Sequence, residues 1–293
     1  MRDFDGKVAV VTGAASGMGK AFSERFALEG MKVVLADFEE KALAATVQEF
    51  KQREFDVIGV VADVSSSEAV HEMARKAFEA YGKVHILCNN AGVVSDSELG
   101  RMGFGDSTRL WEHSLNDWRW TFGVNFWGVV YGIQAFVPRM LAQDEPGHIV
   151  NTASIAGLTS GAGLPIYGAS KHAVVRVSEA LHQQLAEAGA KVKASVLCPG
   201  GVRTRIALAS RNRPDDLWEG DRRPGADELE AREASWADRT GPTGMDPAEV
   251  ANRVLTAIRE EQFYILTHDE YDGTIRARME AILARRNPSA APF

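Results

Sequence analysis

Val8-Ala9-Val10-Val11-Thr12-Gly13-Ala14-Ala15-Ser16-Gly17-Met18-Gly19 is the stretch that decides the fold. An apolar run of strand length passes straight into a glycine-rich turn. The turn opens a helical stretch, Lys20 to Glu29, which Gly30 closes. Glycines at a strand-to-helix junction permit a tight turn. They also let backbone amides approach a pyrophosphate, which meets the positive end of the following helix. Gly13, Ser16, Met18 and Gly19 are therefore candidate dinucleotide contacts.

The same rhythm continues along the chain. Apolar runs at 32–36, 57–61, 84–88, 149–152, 191–197 and 263–266 alternate with helix-period stretches at 39–53, 66–81, 116–142, 165–188, 247–260 and 269–286. Leu43, Val47 and Phe50 share one face of the second helix, and Pro138 is expected to kink or shorten the long one. Strands apolar on both faces and separated by helices predict an α/β fold. The expected architecture is a doubly wound, seven-stranded parallel sheet of Rossmann type with helices on both faces and the ligand at the topological switch point. No linker or shift of composition divides the pattern, so residues 1–293 read as a single dinucleotide-binding and catalytic domain. Two stretches break the rhythm: 93–115, with Gly100, Gly103 and Gly105, and 203–245, polar and rich in Gly and Pro. Both follow strands, and both read as loops or lids on the substrate side.

Bulk properties narrow the function. Of the 293 residues, 45% are hydrophobic and 25% charged, as in an ordinary globular domain, and the net charge of −7 leaves no basic footprint for nucleic acid or an acidic membrane. No apolar run approaches the ~18 residues a bilayer span needs, and Met1 to Lys7 carries no apolar signal region. Cys88 and Cys198 each end an apolar run and read as core thiols, which makes a disulfide-free, cytoplasmic enzyme the expectation. The seven histidines form no cluster with metal-ligand spacing, so no metal is expected.

Asp37 lies eighteen residues beyond Gly19 and ends the second strand. A carboxylate there accepts hydrogen bonds from an adenosine ribose and repels a 2′-phosphate. The next residue is Phe38 rather than an arginine, so NAD is preferred to NADP. Lys20 is the cation that argues the other way, and a plain helix N-cap is the structural alternative for Asp37.

Tyr167 and Lys171, in Tyr167-Gly168-Ala169-Ser170-Lys171, are spaced i, i+4 and so share one helix face. Ser154 lies thirteen residues upstream of Tyr167, just past a strand, and Asn125 lies in an apolar helical stretch. A phenol, an ammonium and a hydroxyl at one spot can move a proton to or from a secondary alcohol while a nicotinamide takes or gives the hydride. The ammonium should draw down a phenol pKa that is normally near 10. Tyr167 is then the acid/base and Ser154 holds the substrate oxygen.

These motifs, with Asp63-Val64, Asn89-Asn90-Ala91-Gly92 and Pro199-Gly200, resemble the short-chain dehydrogenase/reductase family in its single-domain form, over about residues 5–205. The resemblance implies that Asp63 and Val64 hold the adenine, and that Asn90 and Gly92 line the cofactor. It implies that Pro199, Val202 and Thr204 lie at the nicotinamide, with Val202 and Thr204 holding its carboxamide. It also implies that Lys171 holds the nicotinamide ribose and that Asn125 keeps a water relaying protons to Lys171. The 93–115 segment is longer than the family pattern leads one to expect. Phe136-Val137-Pro138-Arg139-Met140, Gly147-His148-Ile149-Val150 and the run Tyr264 to Tyr271 are similar to the branch that oxidises benzylic alcohols of lignin-type aryl ethers.

Phe104, Trp111, Trp118 and Trp218 are candidate pocket walls, which points to a small, hydrophobic and aromatic secondary alcohol or ketone; core or interface packing is the alternative for them. Arg101, Arg109, Arg203 and Arg205 are candidate anion partners. Phe122, Phe126, Val129, Val130, Ile133 and Val137 give the long helix more apolar surface than one sheet contact needs. The resemblance implies that this helix and 165–188 form a subunit interface, in a homotetramer ahead of a dimer. The alternatives are an NADP-dependent reductase, an epimerase or imine reductase on the same scaffold, and a non-catalytic NAD sensor.

Overall fold

The computed structural model describes residues 1–100, 108–219, 223–240 and 244–288. Seven strands form one parallel sheet: β1 (Val8–Thr12), β2 (Lys32–Asp37), β3 (Val57–Val61), β4 (Ile86–Asn89), β5 (Gly147–Thr152), β6 (Val192–Cys198) and β7 (Tyr264–Leu266). Their order is β3-β2-β1-β4-β5-β6-β7, so the winding reverses between β1 and β4. That reversal opens a crevice at the carboxyl ends of those two strands.

The helices are α1 (Gly17–Leu28), α2 (Glu40–Gln52), α3 (Ser67–Tyr81), α4 (Asp96–Leu99), α5 (Leu115–Phe122), α6 (Gly128–Ala142), α7 (Pro165–Glu187), α8 (Ala226–Thr240), α9 (Pro247–Glu260) and α10 (Asp272–Leu283). The alternation within each strand decides which helices it meets. Ala9, Val11, Val33 and Leu35 pack with Phe22 and Phe26 of α1 and Val254 and Ile258 of α9. Val8, Val10, Val34 and Ala36 face the other way, toward Met73 and Phe78 of α3 and Phe136 and Met140 of α6. Burial on both faces explains why the strands read as continuous apolar runs. Cys88 and Cys198 are buried free thiols.

Three expectations need correction. The 116–142 stretch is not one helix broken at Pro138: α5 and α6 are joined by a π-helical turn, Gly123–Trp127, centred on Asn125. Pro138 lies inside α6, which continues to Ala142. Pro138 and Gln134, whose carbonyl loses its partner, are both exposed, so solvent can satisfy it. The 203–245 stretch is not loop throughout, because it contains the fifteen-residue α8. Its alanines and the Glu228–Arg232 pair at i, i+4 favour a helix that its polarity disguises. The last helix begins with a 3-10 turn at Asp269–Tyr271, and its α-helical part spans only Asp272–Leu283.

Candidate active site

The first turn is built from close backbone approach. Gly13 and Gly17 have positive φ angles of 67° and 52°. A Cβ on Gly19 would lie 2.1 Å from the Gly13 carbonyl oxygen, so helix and turn can touch only because that position is bare. Thr12 braces the turn against β4: its Oγ1 accepts from Asn90 N at 2.9 Å and Ala91 N at 3.1 Å. Asn90 Nδ2 donates back to Thr12 O at 3.0 Å. In the sequence only its position next to Gly13 marks Thr12.

Asp37 is not the N-cap of α2, a position Glu39 occupies. Its Oδ2 accepts from Ala15 N and its Oδ1 from Glu39 N, both at 2.9 Å. Burial raises the Asp37 carboxyl, while these two amides oppose the rise. Lys20 turns away to Glu49 at 2.6 Å. Arg211 and Asn212 cross from the 206–212 segment to bind Glu39 Oε1, through Arg211 Nε at 3.1 Å and Asn212 Nδ2 at 3.0 Å. Nothing in their sequence context marks this pair.

A groove runs from this end along Gly13, Ser16, Met18, Asp63, Val64, Asn90 and Gly92 to Thr152, Tyr167, Lys171, Pro199 and Thr204. Asp63 Oδ1 accepts from Ser65 N at 2.9 Å and Ser65 Oγ at 2.7 Å, which shapes the wall. The glycine cradle, the helix end and the carboxylate at its far side fit a dinucleotide. Val202 is the exception: its side chain is 6% exposed and lies in the core. Its bridge to Met245 uses Gly201 O and Arg203 N, so any ring contact would come from its own backbone. His268 Nδ1 accepts from Gly200 N at 3.1 Å, and its Nε2 lies 3.1 Å from Gly201 O, so the 264–271 run clasps the Pro199-Gly200 turn.

Lys171 is 2% exposed; its Nζ donates to Thr152 O at 2.9 Å and lies 5.5 Å from the Tyr167 ring centroid. Ser154 follows β5, accepts from Ala156 N at 3.2 Å and donates to Pro199 O at 3.4 Å. The turn Ile155–Gly157 lies directly on α7, since a Cβ on Gly157 would be 2.8 Å from the Lys171 carbonyl oxygen. That contact brings Ser154 beside the Tyr167/Lys171 face. Tyr167 packs against a buried cluster of Val94, Leu99 and Ala207, which Leu164, Ile206 and Trp236 also cover.

The phenol is not drawn down as the charge argument expects. Burial pushes Tyr167 up to about 12, with Ser154 opposing and Glu98 and Cys198 adding to the rise. Burial also brings Lys171 down to about 8, with Cys198 opposing, so desolvation decides both shifts.

Asn125 Oδ1 accepts from Val93 N at 2.8 Å, while Nδ2 donates to Val93 O at 2.9 Å and Ser170 Oγ at 3.1 Å. Those bonds occupy both amide donors, so the side chain braces Val93 and offers no free N–H to a relay.

The aromatic wall differs from expectation. Trp111 is 78% exposed, Trp118 stacks on Phe122, and Trp218 lies over Arg213. Phe104 and Arg101 lie outside the described residues, as do Gly103 and Gly105. Arg109 lies over Trp111, Arg203 pairs with Asp246 and Arg205 with Glu233. Arg205 also lines the groove, together with Trp120, Val93, Val124, Ile206, Ala209 and Leu217. Trp236 of α8 donates to Thr204 O at 2.7 Å. Among the described residues no cluster of His, Cys, Asp or Glu is placed to hold a metal, and no helix is long and apolar enough to cross a membrane.

A switch-point groove with a dinucleotide cradle at one end and a phenol–ammonium pair at the other defines the nicotinamide-dependent class of α/β oxidoreductases. Comparison with known proteins narrows this. The family model for short chain dehydrogenase matches residues 7–215. A CLA biosynthesis dehydrogenase/reductase of Lactiplantibacillus plantarum is 33% identical over 98% of this chain and 97% of its own. A C alpha-dehydrogenase of a Sphingobium species is 31% identical over 97% of this chain and 87% of its own. A crystal structure of a short-chain dehydrogenase/reductase from Burkholderia phymatum, in complex with NAD, superposes with a TM-score of 0.89 at 46% identity, covering 100% of both chains. The chain belongs to the short-chain dehydrogenase/reductase family. The Sphingobium relative supports the likeness to the lignin-related branch.

Proposed function

We propose that the chain is an NAD-dependent oxidoreductase acting between a hydrophobic secondary alcohol and its ketone, with aromatic substrates preferred. The convergence of Tyr167, Lys171 and Ser154 at the inner end of the groove carries this reading. Gly13, Ser16, Met18 and Gly19 would hold the pyrophosphate end, Asp37 the adenosine ribose, and Asp63 and Val64 the adenine. Asn90, Gly92, Pro199, Thr204 and the Val202 backbone would line the nicotinamide half. A bound nicotinamide supplies the hydride acceptor or donor.

Tyr167 gives a proton to the nascent alkoxide in reduction and takes one from the alcohol in oxidation. Ser154 orients the substrate oxygen toward the phenol. Lys171 brings positive charge beneath the phenol and holds the nicotinamide ribose. Asn125 keeps Val93 and α7 in register. Trp120, Leu217 and their apolar neighbours, with Trp236 packed against the same apolar cluster as Tyr167, favour an aryl substrate. The first test is a screen of aryl and steroid-like secondary alcohols with NAD or NADP, read by absorbance of the reduced nicotinamide. Turnover without net reduction of NAD would favour an epimerase, and silence despite tight NAD binding a sensor.

Cofactor preference rests on Asp37. Asp37→Ala is expected to weaken NAD about tenfold and to raise the NADP/NAD ratio of kcat/KM by a larger factor, because the group that repels a 2′-phosphate is gone. An unchanged ratio would move the preference elsewhere.

A phenol pushed up to about 12 carries its proton at neutral pH. It is ready to donate in reduction, whereas oxidation depends on the ionised fraction. The kcat/KM for alcohol oxidation should therefore rise with pH through the alkaline range, by up to about tenfold per unit. Reduction should be fastest at neutral pH or below. An oxidation profile flat above neutrality would contradict this.

Trp118, Phe122, Phe126, Trp127 and Tyr131 form a row of ring contacts along α5 and α6, with Trp127 46% exposed. That row supports a homotetramer, with a dimer second. A monomer at micromolar concentration in sedimentation would exclude both. The buried, unpaired thiols support the cytoplasm as its location.

A further inference from the structure

The helix that carries Tyr167 cannot cap itself. Its first turn follows Leu164, which sits at φ 50° and makes no side-chain cap bond, and Pro165 brings no N–H. The next two N–H groups, Ile166 and Tyr167, are bound by a carboxylate 68 residues earlier in the chain. Glu98 Oε1 accepts from Ile166 N at 2.8 Å and from Tyr167 N at 3.0 Å. Glu98 Oε2 lies 3.3 Å from Tyr167 N and accepts from Ser95 Oγ at 3.1 Å. Glu98 is 2% exposed and Ser95 fully buried. A carboxylate that deep in the protein, with donors on both oxygens, is built into the site rather than left on a surface.

The segment presenting Glu98 is itself held firmly. Asn125 fixes Val93 through both backbone groups, and Asp96 of α4 pairs with Arg232 of α8 at 2.7 Å. Ser97 donates to Asp117 at 2.9 Å, and Asp117 pairs with buried Arg213 at 2.6 Å.

We propose that Glu98 is the positioning residue of this site. Its carboxylate caps the first turn of α7, holds Tyr167 in place, and puts a buried negative charge beside the residue that bears the phenol. The inference rests on Tyr167 as the proton-transferring group. The groups facing Tyr167 are Ser154, Lys171, Cys198 and Glu98; those facing Glu98 are Ser95, Asp117 and the α7 amides. Burial is the main cause of the raised phenol, and the negative charge of Glu98 adds to it.

The test compares wild type, Glu98→Gln, Glu98→Asp and Tyr167→Phe by thermal melting, NAD binding, and the pH dependence of kcat and KM with an aryl alcohol found in the screen. Glu98→Gln keeps an acceptor for the two amides and removes the charge. It should bind NAD within about twofold of wild type and move the alkaline rise of oxidation to lower pH by roughly half to one unit. Glu98→Asp keeps the charge and falls short of the amides. It should lose about tenfold in kcat with the KM for NAD unchanged.

A Glu98→Gln profile that superimposes on wild type, with Tyr167→Phe inactive, overturns the electrostatic part of the inference alone. A Glu98→Asp enzyme with full kcat overturns the positioning part, and does so even if Glu98→Gln fails to fold. An active Tyr167→Phe enzyme overturns the catalytic reading beneath both.

Discussion

Tyr167→Phe is expected to lower kcat about 10³-fold in both directions, within the range seen when a positioned acid/base is removed. NAD affinity should stay within about twofold, because Lys171 and the glycine turn remain. The phenol oxygen is the only atom removed. The ring keeps its packing against the cluster of Val94, Leu99 and Ala207, so the melting temperature should hold or rise slightly. Deleting the hydroxyl also removes a buried polar group whose ionised form is disfavoured by its surroundings. The measurement is steady-state kinetics alongside a NAD titration. Activity within tenfold of wild type would transfer the proton to another group and leave Tyr167 as packing.

Gly19→Ala is expected to weaken NAD by about 10²-fold or more and to cost about 1–3 kcal/mol of stability. A methyl group there would lie 2.1 Å from Gly13 O, 2.6 Å from Gly13 C and 2.7 Å from Asn90 Nδ2. Two of these three are backbone atoms, and the third is tied to Thr12 O at 3.0 Å. Relief must come from moving the turn itself, whose amides are the proposed pyrophosphate donors. Denaturant unfolding and a NAD titration read the two effects separately. Wild-type affinity with an unchanged midpoint would mean that the turn relaxes freely and that its shape matters little.

Much of the site was legible because its chemistry depends on local spacing. The i, i+4 relation of Tyr167 and Lys171, the strand-to-helix glycine turn and the carboxylate at the end of β2 all sit within single elements or their junctions. Residues whose roles depend on contacts far along the chain were not legible. Glu98 reads as one more acidic residue in a stretch that breaks the strand–helix rhythm. Arg211 reads as one cation among several in a polar stretch. Trp236 is hidden in a charged helix that resembles a loop in composition. The upward direction of the phenol's shift is not legible either, because charge pairing can be read from spacing whereas desolvation depends on everything packed around the pair.

By itself, the sequence determined the seven-stranded doubly wound fold, the place of the glycine-rich turn, the carboxylate at the end of β2 and the Tyr167/Lys171 face. Each follows from apolar periodicity or from residue types at a fixed short spacing, and periodicity is a property of the chain alone. The tertiary structure decided what surrounds those groups. It replaced a long helix with two helices joined by a π turn at Asn125, clasped the Pro199-Gly200 turn with His268, and capped α7 with Glu98. Hydrogen bonds and burial between distant segments depend on how layers pack, and a linear pattern carries no record of which unpaired amide a remote carboxylate will meet.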